Sequence, residues 1–124
     1  MEAKPTNSEL EILSVLWRIG PCSVRDVHDE LNRKRQAGYT TVLKLMQIMV
    51  EKGLVVRNEK NRAHIYAARQ GETETQRGLL EDLAERAFGG SAHKLALHAI
   101  GSKRTTPAEL AEIRSLLDKM EGKQ

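Results

Sequence analysis

A mostly α chain with one small β-hairpin, followed by a helical tail, is predicted by three features of the sequence. The first is Gly38-Tyr39-Thr40-Thr41-Val42-Leu43-Lys44 running on to Lys52-Gly53-Leu54-Val55. It reads as a helix with a tight start, one apolar face, one face of small polar and basic groups, and a glycine stop. The second is Lys60-Asn61-Arg62, a basic tip between two short β-prone runs, Leu54 to Arg57 and Ala63 to Ala68. The third is a shift after residue 70 to an amphipathic helical composition. A presented helix followed by a basic hairpin is the layout of a winged helix-turn-helix, whose helix enters the DNA major groove while the hairpin touches the flanking backbone.

The first helix starts at the capping box Thr6-Asn7-Ser8-Glu9, where hydroxyl and carboxylate satisfy each other's orphan amides. It places Leu10, Leu13, Leu16 and Trp17 on one face and stops at Gly20-Pro21. Ser23 and Asp26 form a second capping signal; the helix behind them buries Val24, Val27 and Leu31 and ends in Arg33-Lys34-Arg35. After the turn Gln36-Ala37-Gly38, Thr40 is placed to cap the third helix. Its inner stripe is Val42, Leu45, Met46 and Met49, with Thr41, Lys44 and Ile48 opposite. The linker is Arg69-Gln70-Gly71-Glu72, so the domains are expected at 1–70 and 71–124.

In the tail, Leu79, Leu80, Leu83, Ala84, Ala87 and Phe88 share a face, and Gly89-Gly90 breaks the helix. Ser91 can cap a fifth helix bearing Leu95, Leu97 and Ile100, and Gly101 to Thr105 reads as a basic connection. Thr106-Pro107-Ala108-Glu109 opens a sixth helix with proline at its first position and a stripe of Leu110, Ile113, Leu116, Leu117 and Met120. None of these helices buries its apolar face alone. With aromatics at 3% of the chain, the expected cover is a second copy of the same segment. Leu79, Leu80, Leu83, Phe88, Leu97, Ile100, Leu110, Ile113, Leu116 and Leu117 are therefore the candidate dimerisation residues.

The bulk numbers fit this division. The chain has 124 residues, enough for one compact domain with a helical appendage, and its mean hydropathy is −0.50. Residues 1–70 carry twelve Lys and Arg against eight Asp and Glu, whereas residues 71–124 carry eight against nine, so the basic excess sits with the proposed reading head. There is no apolar stretch long enough for a signal peptide or a membrane helix, and no direct membrane insertion is expected. A single cysteine, Cys22, allows no internal disulfide and fits a reducing, cytoplasmic location.

The candidate DNA contacts follow from chemistry. Hydroxyls near a helix start suit phosphate oxygens, and a lysine reaches a guanine edge or the backbone, which selects Thr40, Thr41 and Lys44. Thr40 read as a cap and Thr41 as a solvated residue is the plainer alternative. Tyr39 either bonds a phosphate through its hydroxyl or staples the helix start. Gln47 lies at the edge of the exposed face, and Lys60 and Arg62 at the hairpin tip, with Arg57 nearby, are candidates for backbone or minor groove. For Lys34 and Arg35, a favourable interaction with the helix dipole suffices. The four histidines show neither metal-ligand spacing with one another nor with Cys22, and there is no phosphate loop, HExxH or nucleophile elbow. No metal, no cofactor and no enzymatic activity are expected.

Residues 6–68 resemble the penicillinase-repressor family (BlaI/MecI-like), with the copper-responsive CopY repressors as relatives. The resemblance rests on Ser8-Glu9 leading to Leu16-Trp17, Val24 to Leu31 with His28, Tyr39-Thr40-Thr41-Val42, Glu51-Lys52-Gly53-Leu54, and Arg62 to Tyr66. It continues weakly through the helical tail. It implies a homodimeric transcriptional repressor on double-stranded operator DNA, near-palindromic with TACA/TGTA half-sites, controlling β-lactamase or related genes. It also implies a membrane sensor metalloprotease as partner, with release by proteolysis in the dimerisation region. Three departures stand out. Lys44 and Ile48 replace the family's frequent Thr and Arg; the family's cleaved Asn-Phe bond falls on His98-Ala99; and the Cys-x-Cys pairs of the copper-responsive relatives are absent. The candidate cleavage region is His98, Ala99, Gly101 and Arg104, with the stretch from Gly101 onward expected to be loop-like. Two other readings stay open from the residues: a winged-helix protein-interaction module, for which an exposed Ile48 would suit, and a ligand-sensing regulator.

Overall fold

The computed structural model describes residues 4–60, 62–102 and 104–122; Asn61 of the expected hairpin tip and Lys103 of the expected connection lie outside them. The elements run α1 (Asn7–Ile19), α2 (Val24–Asn32), α3 (Tyr39–Lys52), β1 (Val55–Asn58), β2 (Ile65–Ala68), α4 (Glu72–Ala87), α5 (Ala92–Ser102) and α6 (Pro107–Met120). The chain is mostly α with a two-stranded antiparallel hairpin, in the winged-helix order that the sequence predicts. It divides into two compact units, Met1–Leu79 and Leu80–Gln124.

Local chemistry sets the helix boundaries. Thr6 with Glu9 and Ser23 with Asp26 form reciprocal capping boxes at the starts of α1 and α2. The start of α3 differs from expectation. Gly38, in extended conformation, is its N-cap and no side chain caps it, so Thr40 already lies within the first turn and does not cap. Helix α3 stops at Gly53, whose φ of +78° is left-handed and lets its own amide and that of Leu54 turn back onto the carbonyls of the last turn.

The core of the first unit is aliphatic. Ile12, Leu13, Val15 and Leu16 of α1 meet Val24, Val27 and Leu31 of α2 and Val42, Met46 and Met49 of α3, with Val55 and Tyr66 of the hairpin closing the cluster. Leu10 and Trp17, expected on the inner face, are only partly buried, while Ile12 and Val15 lie deeper. Trp17 donates its indole N–H to the Gln70 carbonyl at 2.9 Å and so ties the end of the hairpin segment to α1. Ile48 is half-buried rather than fully exposed on the outer face.

One contact crosses the unit through a charge. Glu9 is 2% exposed, and its carboxylate accepts from Lys52 Nζ at 2.7 Å and from the Thr6 amide at 2.8 Å. Burial pushes the Glu9 carboxyl up, but the Lys52 and Thr6 hydrogen bonds outweigh it and hold the group below its ordinary value. The capping carboxylate of α1 thus also fastens the last turn of α3.

Strands β1 and β2 pair in the register Val55↔Ala68, Val56↔Ala67, Arg57↔Tyr66 and Asn58↔Ile65. A third piece of strand, absent from the sequence reading, joins them. Cys22, just before α2, bridges Tyr66 through two backbone hydrogen bonds of 3.0 and 2.8 Å. This bridge anchors the hairpin to the start of α2.

In the second unit α6 opens with the expected Thr106/Glu109 capping box and Pro107 in the first turn. Leu83, Leu97, Ile100, Leu116 and Leu117 are exposed, while Phe88, Leu110 and Ile113 are half-buried. Of the two candidates at the unit boundary, Leu79 is half-buried and Leu80 exposed. Helix α5 runs through Ser102, so Gly101 is helical and not part of a loop. His98 and Ala99 lie in the same helix, and the His98 ring sits 5.4 Å from that of Phe88. Arg104 is exposed outside any helix.

Candidate nucleic-acid interface

The outward face of α3 follows from where its buried residues point. With Val42, Met46 and Met49 buried, helical spacing turns Thr40, Thr41, Lys44, Gln47 and Glu51 outward, and all five are exposed. Thr40 and Lys44 are four residues apart, as are Gln47 and Glu51, so the polar groups form a stripe along the helix. Glu51 lies at the far end from Thr40.

Ion pairs sort the basic residues. Arg35 makes a two-point contact with Glu11 at 3.0 and 3.2 Å, and Arg33 and Arg18 share Glu30 at 3.4 and 3.0 Å. The Glu11 hydrogen bonds raise the Arg35 pKa, and the Arg18 hydrogen bond lowers that of Glu30. These side chains hold α1 and α2 together at the surface. Arg57 is likewise engaged: a hydrogen bond to Tyr66 and the Glu59 carboxylate at 2.8 Å raise its pKa. By contrast, Lys34, Lys44, Lys60 and Arg62 are exposed, and no carboxylate pairs with them among the described residues. The sequence reading placed Lys44, Lys60 and Arg62 in the interface and set Lys34 aside.

Tyr39 is engaged through its ring. Its ring, 38% exposed, lies beneath the Arg25 guanidinium, 4.8 Å from carbon to ring centroid, and meets the His28 ring edge-on at 5.7 Å. Arg25 was missed because only its position in space, not its spacing from Tyr39, brings the two together. Near the wing, the Lys60 amide donates to Asn58 Oδ1 at 2.9 Å, a local turn contact at the outer end of β1. The described interface therefore combines an unpaired polar stripe on α3 with the unpaired cations of the wing, a pattern suited to a polyanion.

Comparison with known proteins agrees with this geometry. The pattern of the family described as Penicillinase repressor matches residues 5–119. The chain is 34% identical over 115 residues to the transcriptional regulator BlaI of Mycobacterium tuberculosis, covering 91% of this chain and 82% of that protein. It is 18% identical to the methicillin resistance regulatory protein MecI of Staphylococcus aureus, over 92% of this chain and 93% of that one. The penicillinase repressor of Bacillus licheniformis is also 18% identical, over 91% and 88%. No helix among the described residues is long and apolar enough to cross a membrane. The chain belongs to the penicillinase-repressor family, a family of DNA-binding transcriptional repressors and not of enzymes.

Proposed function

We propose that the chain acts as a homodimeric, cytoplasmic repressor that binds a near-palindromic operator. In this reading residues 1–70 are the DNA-binding domain and residues 71–124 the dimerisation region. Thr40, Thr41, Lys44 and Gln47 enter the major groove, and Lys60 and Arg62 meet the flanking backbone. The observation that carries it is the exposed α3 stripe, whose Lys44 has no carboxylate partner among the described residues, next to a wing whose Lys60 and Arg62 are equally uncommitted. Ion pairs elsewhere on this unit show that its surface carboxylates readily engage nearby cations, so three cations left without one favour a ligand that brings the negative charge.

The exposed Leu80, Leu83, Leu97, Ile100, Leu116 and Leu117 support self-association of the tail, which would fix the two heads one helical turn or a multiple apart. Two linked heads bind one duplex with an effective concentration that a single head lacks. Release follows if a sensor metalloprotease separates the tail from the head. Of the four candidate positions, Arg104 alone lies outside a helix, and a protease needs an extended substrate, which favours a cut beside it. The controlled genes are those of β-lactamases or related proteins, and the half-sites TACA and TGTA.

Selection from a random duplex pool, followed by sizing of the complex, tests this. Enrichment of an inverted repeat, bound by two chains, is expected. Enrichment of a single unrepeated site bound by one chain would overturn the dimeric repressor.

A further inference from the structure

Arg25 is exposed on the first turn of α2, and both acids beside it are already engaged. Asp26 accepts the Ser23 amide at 3.2 Å, and Asp29 meets His28 Nδ1 at 3.1 Å. The guanidinium instead lies 4.8 Å from the Tyr39 ring centroid. A stacked guanidinium keeps its planar edge of N–H donors pointing outward, held in one orientation by the ring. Below it opens a concavity of about 270 Å³ between the starts of α2 and α3 and the beginning of β2, lined by Arg25, Tyr39, Arg62 and His64 among others, with no carboxylate among the described residues of its wall. Two guanidinium groups and an imidazole thus line one hollow, a chemistry that suits an anion. Its position, immediately before Thr40 and against the wing, lies where a DNA backbone would pass between the two.

We propose that Arg25, positioned by Tyr39, is a DNA-backbone contact that grips a phosphodiester in this concavity together with Arg62. The inference rests on the operator-binding reading above. It gives Tyr39 a platform role in place of a hydroxyl contact. Because a phosphate carries no base identity, the contact adds affinity and register without selectivity.

Anisotropy titrations of the full chain on an operator duplex and a scrambled duplex, at several salt concentrations, test it. Arg25→Ala is expected to weaken both duplexes by the same factor, roughly tenfold, and to lower the salt slope by about one. Arg25→Lys is expected to restore the slope but not the full affinity, since an ammonium lacks the planar edge. Tyr39→Phe should bind like the wild type and Tyr39→Leu like Arg25→Ala. Unchanged binding by Arg25→Ala on a wild-type background that does bind would overturn the clamp alone. Equal losses in Tyr39→Phe and Tyr39→Leu would make the hydroxyl the contact and overturn the platform. A wild type that binds neither duplex would remove the operator reading itself.

Discussion

Replacing Lys52 by Met keeps an apolar stem of similar reach but strips the Glu9 carboxylate of its cation. Glu9 is 2% exposed and Lys52 27%, so the pair is intermediate between a surface and a fully buried one. A fully buried charge left unpaired costs about 3–5 kcal/mol. Here the Thr6 amide still donates at 2.8 Å and Lys52 was partly hydrated, so a loss of about 2 kcal/mol is expected. At an m-value of about 1 kcal/mol/M, the urea midpoint then falls by about 2 M.

The pH dependence carries the sharper signature. In the wild type the Glu9 pKa is held below its ordinary value, so its contribution is present above the unfolded carboxylate pKa and fades as pH falls through the folded one. In Lys52→Met burial, the largest influence on this group, is left opposed only by Thr6, and the folded pKa moves upward. The gap between variant and wild type is therefore widest near pH 7 and shrinks as pH falls below the ordinary carboxylate range and through the lowered wild-type value, where Glu9 binds a proton in both. Urea unfolding followed by the fluorescence of Trp17, the sole tryptophan, reads this unit directly. A gap that persists unchanged at pH values well below the ordinary carboxylate range, or one below about 0.5 kcal/mol near neutrality, would contradict this pairing.

Lys44→Ala and Arg62→Ala are each expected to weaken operator binding by roughly tenfold while sedimentation velocity still shows the parent oligomer. Unchanged affinity would remove that residue from the interface. Leu83→Glu combined with Leu116→Glu is expected to yield monomers with a folded head and weakened operator binding; a dimer surviving in sedimentation would refute the tail's assignment. Burial, with Asp26 and Glu30 nearby, pushes the Cys22 thiol up to about 11. The folded chain should therefore react slowly with a thiol reagent near pH 8 and quickly in urea, and fast native labelling would contradict the buried bridge to Tyr66. Because that pKa is raised, its stabilising effect holds below the unfolded thiol value and is lost as pH rises through the folded one.

Features local in the chain were legible in the sequence. The capping boxes at Thr6, Ser23 and Thr106 need only residues three apart, and the glycine stop at Gly53 needs one backbone conformation. The alternation of Val42, Met46 and Met49 with Thr41 and Lys44 fixed which side of α3 faces outward. Thr40 misled because the extended Gly38 already provides the turn into the helix, which starts the helix before a threonine cap is needed. Gly101-Ser102 misled because a glycine in a helix costs only about 1 kcal/mol, and the helix carries through it.

What the sequence hid depends on three-dimensional proximity. Glu9 and Lys52 are 43 residues apart, and no spacing rule pairs them. Cys22 finds Tyr66 only once α2 and the hairpin have packed, and Arg25 finds Tyr39 only when α2 crosses α3. Basic composition alone could not separate Arg57, tied to Glu59 and Tyr66, from Lys60 and Arg62. That separation needed the ion pairs.

We propose that the α3 stripe and the wing read an operator as a dimer. Fluorescence anisotropy of the full chain on a TACA/TGTA palindrome and on a scrambled duplex, over a series of salt concentrations, decides this. Tight, palindrome-selective binding at two chains per duplex, with log affinity falling steeply against log salt, is the expected result. Binding to neither duplex at low salt would contradict it.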